Sequence, residues 1–362
     1  MRRKIYGMML LAVIVPMLLS AGCGLLNKEE PKVELYQLAP EHDSLMECYV
    51  IKTLSGKLIV IDGGIDGAGF NAETYLPFAL RAIAGVGEGE YFEVEAWFLS
   101  HAHKDHFFEL SKMLNEYDSF SNFKINNFYF DFPDFETDAY PGFCNDIAQL
   151  RRLKTGLDRY AAANGIEIPE GSTYYDMVNG AVINADAVKA GLELEIDGIK
   201  IRVLNTWAKS DKDNINNNSI VLRFQIGDQS VLFLNDLGVD AGNRMLNAFG
   251  DGVKSDICQM AHHGQSGVTE EVYKAIGAKV HLWPTPLWVW NNIEKYRIGD
   301  TRTWLYGENF YGKNEYNIVA CLYDAYPADS RSVDAWKKVI GGMKISFPYA
   351  PAYSEESVKP EK

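Results

Sequence analysis

Three histidines and one aspartate fall within six positions of this chain, at His101, His103, Asp105 and His106. Neutral imidazole nitrogens and carboxylate oxygens are the donors that zinc and related divalent ions take from proteins. His101 and His103 are two residues apart, so extended chain points both rings to one side. Asp105 and His106, in the first turn of a helix that starts there, can face a second ion beside the first. Asp236 could bridge the two ions, and His262 or His263 could complete the second. Those last two histidines alternate across a strand end. One is expected to bind metal while the other touches substrate or protonates a leaving group, and the sequence does not decide which. The expected cofactors are two divalent metal ions, zinc first, with manganese or iron as alternatives. Asp105, His262 and His263 are the candidate catalytic groups.

These residues need rigid elements to hold them. Two apolar runs, 48–51 and 58–61, flank Leu54-Ser55-Gly56-Lys57 and read as a hairpin whose second strand ends in Asp62-Gly63-Gly64. Glycines directly after a buried strand mark a tight turn close to something else, often a site. A helix is expected over 72–83 and a strand over 93–99, the strand delivering Ser100 and the histidine run. Phe107, Leu110, Leu114 and Tyr117 then recur at helical spacing, which starts a helix near Asp105. Between 129 and 191 the pattern loosens around one amphipathic helix marked by Ile147, Leu150, Leu153, Leu157 and Tyr160. That helix is either core packing or a lid. A second β-rich half follows, with Asp197-Gly198 as a hairpin turn and strands over 220–226, 231–234 and 257–261. The last two end at Asn235-Asp236 and at His262-His263-Gly264, so three separate strand ends present ligand types.

The run Ser100-His101-Ala102-His103-Lys104-Asp105-His106 resembles the signature of the metallo-β-lactamase superfamily. In chain order, Ile61-Asp62-Gly63-Gly64, Asn218-Ser219-Ile220-Val221-Leu222, Leu234-Asn235-Asp236 and His262-His263-Gly264 are similar to its extracellular branch related to the ComEC competence protein. The resemblance covers residues 33–284 and implies an α/β fold of αββα type, two sheets face to face with helices outside. That branch includes phosphorylcholine esterases acting on bacterial surface polymers, so the resemblance implies phosphomonoester or phosphodiester hydrolysis. It assigns His101 and His103 to one metal, Asp105 and His106 to the other, Asp236 between them, and His262 or His263 as the last ligand. Such ions lower the pKa of a bound water and polarise the phosphoryl or carbonyl oxygen that the resulting hydroxide attacks. Asp62 and Asn218 are expected behind the ligands, Asp62 orienting them as outer carboxylates do.

Two departures from the family pattern stand out. Many members place a further histidine before the bridging aspartate, but none lies between His106 and His262 here. The first metal then keeps only His101, His103 and Asp236, which makes it the weaker half. Asn235 replaces the usual glycine before Asp236 and is expected to crowd the site or add a hydrogen bond.

The remaining composition sets the surroundings. Arg2, Arg3 and Lys4, then an apolar run, then Ser20-Ala21-Gly22-Cys23 form a secretory signal, and small residues before a cysteine resemble a bacterial lipobox. The expected organisation is a signal peptide over 1–22, a tether over 23–32 lipidated at Cys23, and a catalytic domain over 33–290. That domain carries a helical insertion near 131–190 and is followed by a C-terminal extension over 291–362 packed against it. The body would lie outside the cytoplasm, anchored to the cell membrane. Losing three basic residues with the signal moves the net charge from -14 to -17, which opposes avid nucleic-acid binding. The expected substrate is a small molecule or a surface polymer. Cys48 and Cys258, in apolar runs, read as buried thiols; Cys144 and Cys321 form no CxxC pair. His281, alone on an apolar run, reads as a core residue, and His42 carries no signal.

Eight aromatics crowd the last third: Trp283, Trp288, Trp290, Tyr296, Trp304, Tyr306, Phe310 and Tyr311. Core packing outweighs a ligand-binding wall at this density. Two rival functions share these features: lactone or β-lactam opening by the same metal chemistry, and a lipid-tethered binding module with a degenerate metal site.

Overall fold

The computed structural model describes residues 31–38, 44–65, 72–87, 89–116, 120–132, 146–168, 170, 176–178, 181–183, 188–208, 214–306, 317–318 and 342–349. The expected signal segment, Cys23, His42, Cys144, Phe310, Tyr311 and Cys321 lie outside the described residues. No described helix is long and apolar enough to cross a membrane.

Alternating apolar residues build two sheets. The first runs β16 (Gly342–Ser346), β1 (Glu34–Leu38), β2 (Tyr49–Lys52), β3 (Leu58–Ile61), β4 (Phe92–Phe98), β6 (Phe128–Tyr129), β7 (Asp176–Val178) and β8 (Ala181–Ile183), with β5 (Phe123–Ile125) also on β4. The second runs β15 (Asn317–Ile318), β14 (Val280–Leu282), β13 (Ile257–Gln259), β12 (Gln229–Phe233), β11 (Val221–Ile226), β10 (Ile199–Asn205) and β9 (Glu193–Ile196).

Strand β3 shows how the layers form. Leu58 and Val60 face the helices α1 (Ala72–Ala84), α2 (Phe108–Glu116) and α3 (Ile147–Ala163), whereas Ile59 and Ile61 enter the core between the sheets. On β12, Val231 and Phe233 meet them from the other side. Leu232 points outward, to a third core with α4 (Val239–Phe249), α5 (Glu270–Ile276), α6 (Leu287–Asn291) and α7 (Ile298–Tyr306). The expected αββα layering is thus observed. Each fully buried Val, Leu, Ile or Phe contributes about 1.5–3 kcal/mol, so these three cores, not the polar centre, hold the sandwich together.

Strand pairing and helix packing show how the later segments join the body. Beyond residue 290, two described strands join the sheets: β16 pairs with β1, from Glu34 opposite Ser346 to Leu38 opposite Gly342, and β15 pairs with β14. Unpaired, β1 would expose a row of backbone donors and acceptors. Within the expected insertion, α3 lies along α2 with Leu150, Leu153, Leu157 and Tyr160 in the helix-side core, so it is packing and not a lid. A Cβ on its Gly156 would come within 2.7 Å of Leu114 Cβ.

Cys48 and Cys258 are buried free thiols, and His281 is buried in β14. Trp283 and Trp290 are fully buried, edge to face at 5.2 Å, while Trp288 is exposed beside Tyr296. Of the five whose side chains are described, Trp283 and Trp290 are core, Tyr296 and Trp304 pack against it, and Trp288 is exposed.

Parallel pairing sets the place of the site. β3 and β4 are parallel, as are β12 and β13, so each pair ends on one edge. The two edges are tied where the Ile220 amide donates to the Ser100 carbonyl at 2.9 Å.

Candidate metal centre

Asp62 follows β3, Ser100 and His101 follow β4, Asp236 follows β12, and His262-His263 follow β13. To turn inward so abruptly the chain uses left-handed backbone. Asp62 (φ 62°), Asn235 (φ 50°), His262 (φ 52°) and His263 (φ 54°) are four of the six non-glycine residues with positive φ among the described residues. Such conformations cost about 1–3 kcal/mol each and gather where surrounding structure enforces them. Here the enforcement is visible. The Asp62 amide donates to Phe98 O at 2.8 Å and the His262 amide to Asn235 O at 2.9 Å. The Asn235 amide donates to Gln259 Oε1 and its side-chain Nδ2 to Ile220 O, both at 2.6 Å. Asn235 therefore adds a hydrogen bond where a glycine was expected. Gly63 lets α2 approach: a Cβ there would sit 2.6 Å from Leu110 Cβ.

The three buried histidines of the site are each pinned through Nδ1. His106 Nδ1 lies 2.7 Å from Asp62 Oδ2. His263 Nδ1 donates to Pro284 O at 2.9 Å. His101 Nδ1 lies 3.0 Å from Ser100 Oγ, whose own proton goes to Asp62 Oδ2 at 2.8 Å. An acceptor at Nδ1 leaves Nε2 as the free lone pair. Those Nε2 atoms converge on Asp236: His101 Nε2 at 3.8 Å and His106 Nε2 at 3.4 Å from Oδ2, and His263 Nε2 at 3.6 Å from Oδ1.

Two donor sets result. His101, His103 and Asp236 form the first, with His101 Nε2 and His103 Nδ1 only 3.1 Å apart. His106, Asp236 and His263 form the second with Glu47, and Asp105 Oδ2 reaches His263 Nε2 at 3.4 Å. His262 lies at the open side, part-exposed, its Nε2 3.9 Å from Asp236 Oδ2 and 3.4 Å from Asn216 Nδ2. Asn218, expected behind the ligands, is buried but its amide bonds to none of them; Asn216, two residues earlier, is the neighbour of His262.

Glu47 went unexpected. Its signal was a carboxylate inside the apolar run Leu45-Met46-Glu47-Cys48-Tyr49, where a charge has no place unless paired. Its two oxygens, His106 Nε2, His263 Nε2 and Asp236 Oδ1 are all buried with no hydrogen-bond partner. Leaving a buried polar atom unmet costs about 1–3 kcal/mol each. Five such atoms at one point, from imidazoles and carboxylates, fit a divalent cation.

The electrostatics agree. Burial opposes charge on His106 and His263, yet the Asp236 carboxylate and its neighbours overcome it, lifting His106 well above the usual range and His263 to about 9. Burial, then repulsion from His106 and His103, holds His101 well below it. Asp105 and Asp236 stay below the ordinary carboxylate range despite burial, because histidines face them. Glu47 is pushed up to about 8 by burial. A site that draws protons onto its histidines is one where a metal ion would displace them.

No family model matches the chain. Over 88 residues, 24% of this chain, it is 32% identical to ComE operon protein 3 of Bacillus subtilis (strain 168) and spans 11% of that protein's length. Among solved structures it is similar to the metallo-beta-lactamase fold protein YhfI from Bacillus subtilis, with 12% identity, TM-score 0.42, and coverage of 80% of this chain and 95% of that one. It is also similar to a putative Zn-dependent hydrolase of the metallo-beta-lactamase superfamily from Thermotoga maritima, with 14% identity, TM-score 0.29, and coverage of 69% and 74%. Two facing sheets, helices on both outer faces and a histidine and carboxylate cluster where the two sheets meet are the arrangement that the resemblance to the metallo-β-lactamase superfamily implies.

Proposed function

We propose that this protein is a metal-dependent hydrolase of phosphoester or phosphodiester bonds that works outside the cytoplasm, tethered by a lipid on Cys23. The observation that carries the reading is the convergence of His106 Nε2, His263 Nε2 and Asp236 Oδ1 as buried atoms without partners, beside the set His101, His103 and Asp236. Divalent ions held by the two sets, zinc in the first, would lower the pKa of a water and polarise a substrate oxygen. The chain's own residues do the rest. Asp236 stands between the sets and keeps both on one carboxylate. Asp62 and Ser100 hold the rings of His106 and His101 in place. His263, fully buried, serves the ions, which leaves the part-exposed His262 to meet the substrate. Burial lowers the pKa of His262, so at neutral pH it is an uncharged imidazole that accepts a proton or a hydrogen bond.

The adjacent histidine pair, one turned in and one out, supports a phosphate substrate over a lactone or β-lactam. The test is to purify the full chain in detergent, measure bound metal, and assay a phosphodiester, a phosphomonoester, a lactone and a β-lactam, with Asp236→Asn as control. Phosphoester cleavage lost in the variant is expected. A metal-free protein with no turnover on all four would overturn the reading, and lactone or β-lactam turnover alone would replace its substrate.

A further inference from the structure

Glu47 stands apart from the other residues at the centre, because it is fully buried with no hydrogen bond to either oxygen. It lies just before β2. The nearest cationic group is His263, whose Nδ1 lies 3.6 Å from Glu47 Oε2, beyond hydrogen-bond length. That nitrogen already donates to Pro284 O at 2.9 Å. No lysine or arginine among the described residues pairs with Glu47. A buried carboxylate with no hydrogen-bonded cation is disfavoured, yet the fold aims this one at His106, Asp236 and His263, one donor atom of each lying within 4.8 Å of one of its own.

Resting on the metal reading above, we infer that Glu47 is a protein ligand of the second ion and biases that site towards an oxygen-preferring ion such as Mn2+. With Glu47, the second set offers two carboxylates, from Glu47 and Asp236, and two imidazoles, from His106 and His263, and a third carboxylate, Asp105, stands 3.4 Å from His263 Nε2. The first offers two imidazoles and the shared carboxylate. Carboxylate-rich sets of five or six donors suit Mn2+, whereas small imidazole-rich sets suit zinc. The two halves of one centre therefore differ in hardness, and the difference is carried by Glu47. Its place supports this assignment, since it enters from the segment leading into β2, apart from the strand ends that bear the other ligands.

The test titrates Mn2+ and Zn2+ into full-length protein carrying His103→Ala, which weakens the first set, with and without Glu47→Gln. Bound Mn2+ is read by electron paramagnetic resonance and stoichiometry by elemental analysis. Glu47→Gln is expected to weaken Mn2+ at least about 10-fold, the scale of losses around metal sites, and Zn2+ by less. Equal Mn2+ affinity and an equal Mn2+ to Zn2+ ratio in the two proteins would overturn the role of Glu47 while leaving the hydrolase reading intact. If Glu47→Gln does not fold, Glu47→Asp withdraws the carboxylate and keeps its charge; Mn2+ binding unchanged there would overturn it equally. A parent that binds neither ion, with Asp236→Asn behaving alike, would overturn the metal centre itself.

Discussion

Asp62 Oδ2 lies 2.7 Å from His106 Nδ1, and both residues are completely buried. This contact turns the His106 ring so that Nε2 faces Asp236 at 3.4 Å. Asp62 is fixed in its turn by the Ser100 amide, 2.7 Å from Oδ1, and by the Ser100 hydroxyl. A carboxylate outside both donor sets thus sets the direction of a candidate ligand. Asp62→Asn is expected to lower metal affinity about 10–100-fold, as loss of such outer partners does, with the fold retained. Metal titration together with circular dichroism checks it, and unchanged affinity in a folded variant would remove Asp62 from the centre.

The two adjacent histidines divide into an inner and an outer role. His263 is fully buried between Pro284 O, Asp105 and Asp236, so His263→Ala strands two carboxylates. Breaking buried charged pairs costs about 3–5 kcal/mol; a large fall in melting temperature and loss of bound metal are expected. His262 is 31% exposed on its side chain, and His262→Ala is expected to change stability by no more than about 0.5 kcal/mol while phosphoester turnover falls. Melting curves and metal content on both variants decide it; the reverse pattern would exchange the roles.

Much of this centre was legible in the sequence, because metal ligands must be particular residue types at strand ends. His101, His103, Asp236 and His263 could be found from type and spacing, and the Asp197-Gly198 hairpin pairs Ile196 with Ile199 as its turn chemistry requires. The order of strands was less readable. Nothing in residues 342–346 announces that they complete the first sheet beside β1, since that pairing spans the whole chain. Glu47 and Asn216 were missed for a related reason. Their roles depend on which loop lies above them in space, and local spacing carries no record of that.

Packing under the site is as strict as the ligand geometry. Gly264 follows the two histidines at φ 79°, and a Cβ there would lie 2.4 Å from the Trp283 ring. Trp283 is fully buried, edge to face on Trp290, and has no free direction to move. Gly264→Ala is therefore expected to destabilise by about 1–3 kcal/mol through overpacking and to loosen metal binding by displacing His263. Denaturant unfolding and metal titration read the two effects. A variant as stable and as tight as the parent would show that this turn tolerates rearrangement.

The last strand makes a separate, pH-dependent prediction. Glu34 on β1 accepts from Lys344 Nζ on β16 at 2.5 Å and from the Tyr36 hydroxyl at 2.6 Å. Burial opposes its ionisation, but these partners win and its pKa falls below the ordinary value. A carboxyl depressed in the folded state binds fewer protons than in the unfolded chain, so its contribution is complete above the unfolded pKa. It is lost as pH drops through the folded one. Lys344 and Glu34 are part-exposed, which limits the gain to about 1 kcal/mol. Glu34→Gln should therefore be less stable than the parent at pH 7, and the gap should close as pH falls below the usual carboxylate range. Denaturant titrations at stepped pH measure that gap, and a difference constant from neutral pH into acid would mean that the charge of Glu34 does not secure the terminal strand.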